Sequence, residues 1–274
     1  MKVDVAAVSP LKKPTDEENI PRAIQYLDEA VRQGAKIICF PENYLYSDIS
    51  RVPKSDIESY PGVLQLLNKA RESGVYVIPG TMAERTNYGN KFYNTALLLG
   101  PNGAVIGKYR KTHLAVEESE KQRIPGGKEE VLKVFKTEYG NMGIHICYEI
   151  CFPEVARITA LAGAEMMFWP SGGKYYEIRE TWRHLIWARA IENLAYVVSC
   201  SNIFGMERGI TIIAGPEEVL AERDNEGVVT ATLDIDRIHW LRKTPESFDI
   251  PKPFKCVPGT LMDREPDLYH ALIQ

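Results

Sequence analysis

Long apolar runs and a stripe of basic residues are both missing from this sequence. No uninterrupted apolar stretch approaches the roughly 20 residues that a bilayer-spanning helix needs, and the N-terminus, Met1-Lys2-Val3-Asp4, lacks the apolar region of a signal peptide. The formal net charge is −4, whereas phosphate binding draws most of its affinity from clustered Lys and Arg. We therefore expect a soluble, cytoplasmic protein that binds neither a membrane nor a nucleic acid.

Cysteine is scarce, with five residues in a chain of 274. An odd number of widely spaced cysteines fits free thiols in a reducing compartment better than a disulfide framework, so a thiol is available as a nucleophile. His145, Cys147 and Cys151 do not form a metal motif, because no further Cys or His pair completes a tetrahedral site. Gly126-Gly127-Lys128 and Gly172-Gly173-Lys174 lack the spacing of a phosphate-binding loop. The sequence therefore contains no recognisable metal or phosphate-binding motif.

Short apolar runs alternate with amphipathic stretches along most of the chain. Thr15-Asp16-Glu17-Glu18 predicts a helix start with a capping box, in which Thr15 bonds the amide three residues on and Glu18 reaches back, and Gly34 predicts the helix end. Gly100-Pro101-Asn102-Gly103 predicts the turn of a hairpin between 92–99 and 104–108. This alternation indicates an α/β fold, with helices on one face of a mixed sheet and a partner needed on the other. Further strands are predicted over 2–8, 36–40, 75–78, 142–146, 166–169, 196–201, 210–214 and 228–233, and further helices over 63–71, 154–162, 179–194 and around 237.

The chain shows no internal repeat, low-complexity segment or Gly/Ser-rich linker. We therefore predict one substantial folded domain over residues 1–250. Residues 251–274 contain Pro251, Pro253, Pro258 and Pro266 and show no helical or strand periodicity. We interpret this segment as a C-terminal tail that lies at an oligomer interface.

Three residues with chemically useful side chains follow apolar strands, where functional groups of α/β folds usually lie. Glu42 comes directly after the strand 37–40 and a proline, Lys111 follows the strand 104–108, and Cys147 ends the run 143–146. Taken singly, each has an ordinary explanation: a solvated carboxylate, a solvated charge run, or a buried structural thiol. We also expect desolvation to raise the pKa of Glu42, with the Lys111 charge opposing an excessive rise.

The sequences around these residues resemble the motifs of one known family. In chain order they read Phe40-Pro41-Glu42, Arg110-Lys111-Thr112-His113-Leu114 and Gly143-Ile144-His145-Ile146-Cys147-Tyr148-Glu149. Each is weak alone, but the ordered set is specific, and it resembles the nitrilase, or carbon-nitrogen hydrolase, superfamily. The resemblance covers nearly the whole chain, including Phe152-Pro153-Glu154, Trp169-Pro170-Ser171 and Arg189-Ala190 with Glu192-Asn193. It implies a four-layer α-β-β-α sandwich, a catalytic domain over 1–250, no metal or organic cofactor, and a homodimer or higher homo-oligomer.

The resemblance also implies a Glu-Lys-Cys triad in which Cys147 is the nucleophile, Glu42 the general base and Lys111 the stabiliser of negative charge. A neutral thiol is a poor nucleophile, so Glu42 is expected to take its proton as sulfur attacks the substrate carbon and a thioester-type intermediate forms. Lys111 and the backbone amide of Tyr148 are the expected donors to the oxyanion.

A second glutamate often lies between the lysine and cysteine motifs of the superfamily. Glu117, Glu118 and Glu120 are available in the loop before Pro125-Gly126. We choose Glu118, and Glu120 stays open because Gly127 replaces the usual acidic residue after Pro-Gly, which makes the register uncertain.

The implied activity is hydrolysis of a small amide or N-carbamoyl compound. Tyr148 follows the nucleophile where nitrilases proper typically carry Trp, which favours an amide over a nitrile. Two alternatives stay open: a nitrilase that converts a nitrile to acid and ammonia, and a non-catalytic small-molecule binding protein on the same scaffold. A Cys-His hydrolase requires a histidine partner, and His113, the nearest candidate, is interpreted as structural or as a neighbour of the site.

The substrate itself is set by loop geometry in a shared fold. The predicted pocket loops are 43–48, 171–177 and 202–206, which also offer Tyr44, Tyr175 and Tyr176 as walls, with Arg179 beyond them. The residues predicted to bind a small-molecule amide, ureido or nitrile substrate are Tyr148, Tyr46, Ser171, Lys174 and Asn202.

Overall fold

Two β-sheets packed face to face form the centre of the protein in a computed structural model, which describes residues 1–45, 56–87, 89–115, 122–173, 177–206, 209–244 and 256–273. The strands are β1 (Lys2–Ser9), β2 (Ile37–Cys39), β3 (Tyr76–Ile78), β4 (Thr81–Arg85), β5 (Phe92–Leu99), β6 (Val105–Arg110), β7 (Phe135–Thr137), β8 (Gly140–Ile144), β9 (Met166–Ser171), β10 (Tyr196–Ser201), β11 (Thr211–Ala214), β12 (Val219–Arg223) and β13 (Gly227–Asp234). The α-helices are α1 (Asp16–Arg32), α2 (Pro61–Ser73), α3 (Pro153–Leu161), α4 (Arg179–Asn193) and α5 (Ile235–Lys243). Short 3-10 helices cover Ile57–Ser59, Glu130–Leu132, Cys147–Cys151 and Pro266–Ile273.

Each sheet has a parallel centre and antiparallel edges. Within the described residues the first sheet has seven strands in the order β13-β1-β2-β3-β5-β4, with β6 also pairing with β5, and β1, β2 and β3 are parallel. The second has six strands in the order β12-β11-β10-β9-β8-β7, with β8, β9 and β10 parallel. Parallel strands end at one edge of a sheet, and the residues that follow β2 and β8 lie at such edges.

Apolar cores separate four layers. The core between the first sheet and helices α1 and α2 contains Leu27. A second core fills the space between the sheets, where Val5 of one sheet and Phe168 of the other are fully buried. A third core lies between the second sheet and helices α3 and α4 and includes Trp169 and Ile186. The layers are therefore α-β-β-α, which confirms the predicted sandwich, and the second sheet is the partner that the first one needed.

Helix α1 illustrates how local sequence sets the elements. It begins after Thr15 as predicted, but the predicted capping box is wrong, because the Thr15 hydroxyl donates to Glu18 Oε2 at 2.8 Å and makes no side-chain cap. Gly34 follows the helix with φ +93°, in the left-handed region that favours glycine. In the part of the chain described here, no helix has both the length and the apolar character needed to cross a bilayer.

The first residues of the segment 256–273 pack against the rest of the domain. Cys256 is buried with Leu194 and Leu241, and the amide of Gly259 donates to the Leu241 carbonyl at 2.9 Å. Farther along, apolar side chains turn outward, with Leu268 76% exposed. That residues 251–274 form a tail at an oligomer interface stays a prediction.

Candidate active site

Glu42 follows β2 and is held against the second sheet by its own backbone. Its amide donates to the Ser171 carbonyl at 3.2 Å, and Asn202 Nδ2 donates to its carbonyl at 2.8 Å. The residue before Glu42 is packed closely against the first sheet. A Cβ on Gly80, whose φ is +83°, would lie 2.0 Å from the Pro41 carbonyl oxygen, so only glycine fits at position 80. The position of Glu42 is therefore fixed by contacts with both sheets.

The Glu42 carboxylate lies among polar partners in the protein interior. Its Oε1 accepts from Lys111 Nζ at 3.1 Å and from Asn94 Nδ2 at 2.7 Å. The side chains of Lys111 and Glu42 are 1% and 6% exposed, so this ion pair is buried. A Cβ on Gly172 would lie 2.9 Å from Glu42 Oε2, so the absence of a side chain there leaves room for the second carboxylate oxygen.

Cys147 begins a 3-10 helix directly after the extended chain that continues β8. Its φ is +50°, an uncommon left-handed conformation for a residue with a side chain. Its thiol hydrogen-bonds to Glu42, and its carbonyl accepts from Trp169 Nε1 at 3.1 Å. Cys147, Glu42 and Lys111, which are far apart in sequence, thus meet in one place.

The pKa of Glu42 is shifted in the direction opposite to the one expected from sequence. Burial is the largest influence and raises it, but the charges of Lys111 and Arg123 and the hydrogen bonds from Cys147 and Lys111 together lower it below its usual value. The expectation of a raised pKa was wrong because burial was weighed without the second cation, Arg123. Glu42 is consequently an ionised carboxylate near pH 7.

Several residues near Glu42 were not singled out from the sequence. Asn94 and Thr95 interrupt the apolar run of β5, and this pair of polar residues was the available signal. Arg123 Nη2 donates to Asn43 Oδ1 at 3.2 Å, and Lys12 Nζ donates to the Asn43 carbonyl. Burial lowers the pKa of Lys12 to about 8, against the opposing charges of Asp16 and Glu42. The carboxylate therefore lies in a cationic environment built from distant segments.

The predicted substrate-binding residues occupy varied positions. Ser171 is fully buried, and its hydroxyl bonds to the Trp169 carbonyl at 3.4 Å. Asn202 Nδ2 also donates to the Gly172 carbonyl at 2.9 Å. Tyr148 is half-buried. The predicted residues Tyr46, Lys174, Glu118 and Glu120 lie outside the described residues, as do Glu117, Tyr175 and Tyr176.

The histidines near Cys147 are engaged elsewhere. The His113 ring stacks on Phe152 with centroids 4.2 Å apart, and its Nδ1 bonds to the Thr112 hydroxyl at 2.9 Å. His145 is buried, and burial lowers its pKa to about 3, so it is neutral near pH 7. The described portion of the chain contains no group of three or more His, Cys, Asp or Glu placed to hold a metal ion.

Comparisons with known proteins identify the family of the chain. Residues 3–243 match the profile of the carbon-nitrogen hydrolase family. The chain is 28% identical to the omega-amidase of Xenopus tropicalis over 258 residues, covering 88% of this chain and 92% of that protein. It is 30% identical to the N-carbamoylputrescine amidase of Solanum lycopersicum over 287 residues, covering 93% and 89%. The structure of Saccharomyces cerevisiae Nit3, a member of branch 10 of the nitrilase superfamily, aligns with a TM-score of 0.76 at 28% identity, covering 92% of this chain and 96% of that one.

Proposed function

The chain belongs to the carbon-nitrogen hydrolase family of the nitrilase superfamily, and we propose that it cleaves a small amide or N-carbamoyl compound by nucleophilic attack of Cys147. Glu42 is the proposed base and Lys111 the proposed stabiliser of negative charge. The observation that carries the proposal is the contact of the Cys147 thiol with Glu42, whose Oε1 lies 3.1 Å from Lys111 Nζ. This is the geometry that general-base activation of a thiol requires.

The first chemical step is a proton transfer from Cys147 to Glu42. Free cysteine and glutamic acid differ by about 4 pKa units, or roughly 6 kcal/mol, so complete transfer before attack is costly. The low pKa of Glu42 adds to that cost. We therefore propose that the proton moves while the carbon–sulfur bond forms and negative charge passes to the substrate oxygen. The Lys111 ammonium and the Tyr148 backbone amide stabilise that oxygen.

The remaining steps return the protein to its starting state. Glu42 gives its proton to the leaving nitrogen, the carbon–nitrogen bond breaks, and the acyl or carbamoyl group stays on sulfur. Water then attacks the same carbon and gives a proton to Glu42, which passes it to the departing Cys147 sulfur. One water molecule is consumed for each carbon–nitrogen bond that is cleaved.

The proposed substrate class is supported by the relatives and by the residue after the nucleophile. The matched relatives include an omega-amidase and an N-carbamoylputrescine amidase. Tyr148 in place of Trp favours amide-type substrates over nitriles. Asn202 stays a proposed substrate contact because its buried Oδ1 accepts no hydrogen bond from the described residues, and such an acceptor is costly without a donor.

The loops and the tail complete the proposal. Glu118, or Glu120 in its place, is proposed as the second glutamate, and Tyr46 and Lys174 as substrate contacts. We propose a homodimer or higher homo-oligomer with residues 251–274 at an interface. An unchanged oligomeric mass after deletion of 251–274 would contradict the role of the tail.

The proposed activity is tested with amides, ureido acids and nitriles presented to the wild type, Cys147→Ala and Cys151→Ala. Cys151 is the matched control because its thiol ends the same short helix and is exposed. We expect ammonia release and a transient covalent adduct, measured by intact mass, for the wild type and Cys151→Ala only. Acid formation from nitriles but not from amides would favour the nitrilase alternative. Binding without turnover by the wild type would favour the binding protein.

A further inference from the structure

We propose that Glu149 is a positioning residue, whose buried carboxylate ties the chain segment that carries Lys111 to the segment that carries Cys147. Its side chain is completely buried, and it is two residues past the sulfur. The inference rests on the proposed function. Glu149 sets the distance between the Cys147 sulfur and the Lys111 ammonium, and that distance matters only if both groups act on one substrate.

One oxygen of Glu149 binds the segment around Lys111. Oε1 accepts from the Thr112 amide at 2.7 Å and from the Thr112 hydroxyl at 2.6 Å. It also accepts from the Tyr109 hydroxyl at 2.7 Å. Tyr109 lies in β6 and Thr112 directly follows Lys111, so these three bonds fix the end of a strand in the first sheet.

The other oxygen binds the segment around Cys147. Oε2 accepts from the Ile146 amide at 2.6 Å. Ile146 directly precedes Cys147 and continues the chain after β8, in the second sheet. A single carboxylate therefore joins the two sheets at the point where the proposed nucleophile and its proposed cation leave their strands.

The backbone at Cys147 needs such support. Its left-handed φ of +50° is sparsely populated and persists only where the surroundings determine it. Burial raises the pKa of Glu149, and the hydrogen bonds from Thr112, Tyr109 and Ile146 oppose that rise. Because both oxygens are engaged by these donors, Glu149 acts through its neighbours and does not touch the substrate.

The experiment compares Glu149→Gln with a matched control, Glu165→Gln. Glu165 is also buried and accepts from a backbone amide, that of Asn141 at 2.7 Å, but it precedes β9 at the end away from the site. Gln keeps the side-chain shape but replaces one of these accepting oxygens with an amide NH2 group, which donates hydrogen bonds and cannot accept them. We expect kcat for Glu149→Gln to fall about 100-fold, as a displacement of about 1 Å can cause, with KM nearly unchanged. Glu165→Gln is expected to keep the wild-type kcat.

A second readout does not depend on the substrate. In a Cys151→Ser background, iodoacetamide alkylation of Cys147 is followed by mass, and Glu149→Gln is expected to change its rate about tenfold. If the wild type hydrolyses none of the amides, ureido acids and nitriles, the proposed function fails. The alkylation rate of Cys147 still tests whether Glu149 positions that residue. Wild-type kcat and alkylation in folded Glu149→Gln, or equal losses in Glu165→Gln, would overturn the inference.

A milder pair of variants serves if Glu149→Gln does not fold. Thr112→Val removes the hydroxyl that donates to Glu149, whereas Thr112→Ser keeps it. We expect Thr112→Val to lower kcat and to alter the alkylation rate, and Thr112→Ser to restore both. Equal behaviour of the two variants would overturn the positioning role.

Discussion

Replacing Lys111 with Met tests whether a buried charge pair organises the site. Met keeps much of the side-chain volume but removes the ammonium that lies 3.1 Å from Glu42 Oε1. Unit charges at that separation interact by about 5 kcal/mol at an effective dielectric constant of 20. Removal of one partner of a buried pair typically costs about 3 to 5 kcal/mol. We therefore expect Lys111→Met to lose about 3 to 5 kcal/mol of unfolding free energy at pH 8.

The loss should depend on pH in a defined direction. In the wild type the pKa of Glu42 is lowered, so its stabilising contribution is present above the unfolded pKa and is lost as pH falls through the folded pKa. In Lys111→Met, burial acts without its nearest opposing charge, and the pKa of Glu42 moves upward. Protonation then removes the buried negative charge of Glu42 at a higher pH. The deficit relative to the wild type is expected to shrink between pH 8 and pH 5.

Denaturant unfolding at both pH values measures this deficit. Lys108→Met is the control, because Lys108 Nζ lies 2.7 Å from Glu84 Oε1 but its side chain is 31% exposed, and Arg110 remains bound to Glu84. We expect the control to lose about 1 kcal/mol or less. Hydrolysis by Lys111→Met should fall at least about 100-fold. A deficit no larger than that of Lys108→Met, or one that does not change with pH, would refute the reasoning.

Other changes near the site have equally defined outcomes. Asn94→Leu removes the 2.7 Å hydrogen bond to Glu42, and we expect kcat/KM to fall at least about tenfold, since hydrogen bonds to charged groups contribute about 1.5 to 3 kcal/mol; wild-type kinetics would contradict this. Gly172→Ala places a Cβ 2.9 Å from Glu42 Oε2 and should lower kcat while circular dichroism stays unchanged, so an active variant would show that the carboxylate can shift harmlessly. Cys39 and Cys200 are fully buried with their sulfurs 3.5 Å apart, and thiol titration with peptide mapping should label them only after unfolding; rapid labelling of the folded protein would count against that packing.

The central strands and the turn between β5 and β6 were predictable because their local sequence patterns match the environment that they have in the fold. The apolar run ending at Pro41 indicates a buried strand, and Gly100-Pro101-Asn102-Gly103 indicates the turn between β5 and β6. The strands that were missed, β4, β7 and β12, lie at sheet edges. Edge strands are half covered and tolerate residues such as Arg85, Lys136 and Glu222, so their pattern lacks the continuous apolar character of central strands.

The site was predictable in outline and not in its electrostatics. Glu42, Lys111 and Cys147 follow strands, and the motif resemblance put them together. Nothing local indicates that Asn94 donates to Glu42 or that the charge of Arg123 acts on it, because those contacts join segments far apart in the chain. The direction of a pKa shift is a sum over such contacts, so it emerges only when the chain is folded.

The proposed base and cation follow strands of one sheet, and the proposed nucleophile follows a strand of the other. The apolar core between the sheets therefore sets the distance between these groups. Close-packed interiors transmit strain instead of absorbing it. Exchanging Val198 or Ile213 for a larger or smaller residue in that middle layer alters how far apart the sheets rest. Turnover should therefore respond to the thickness of this layer even where no substituted atom is near a ligand, and equal changes beneath the outer helices should matter less.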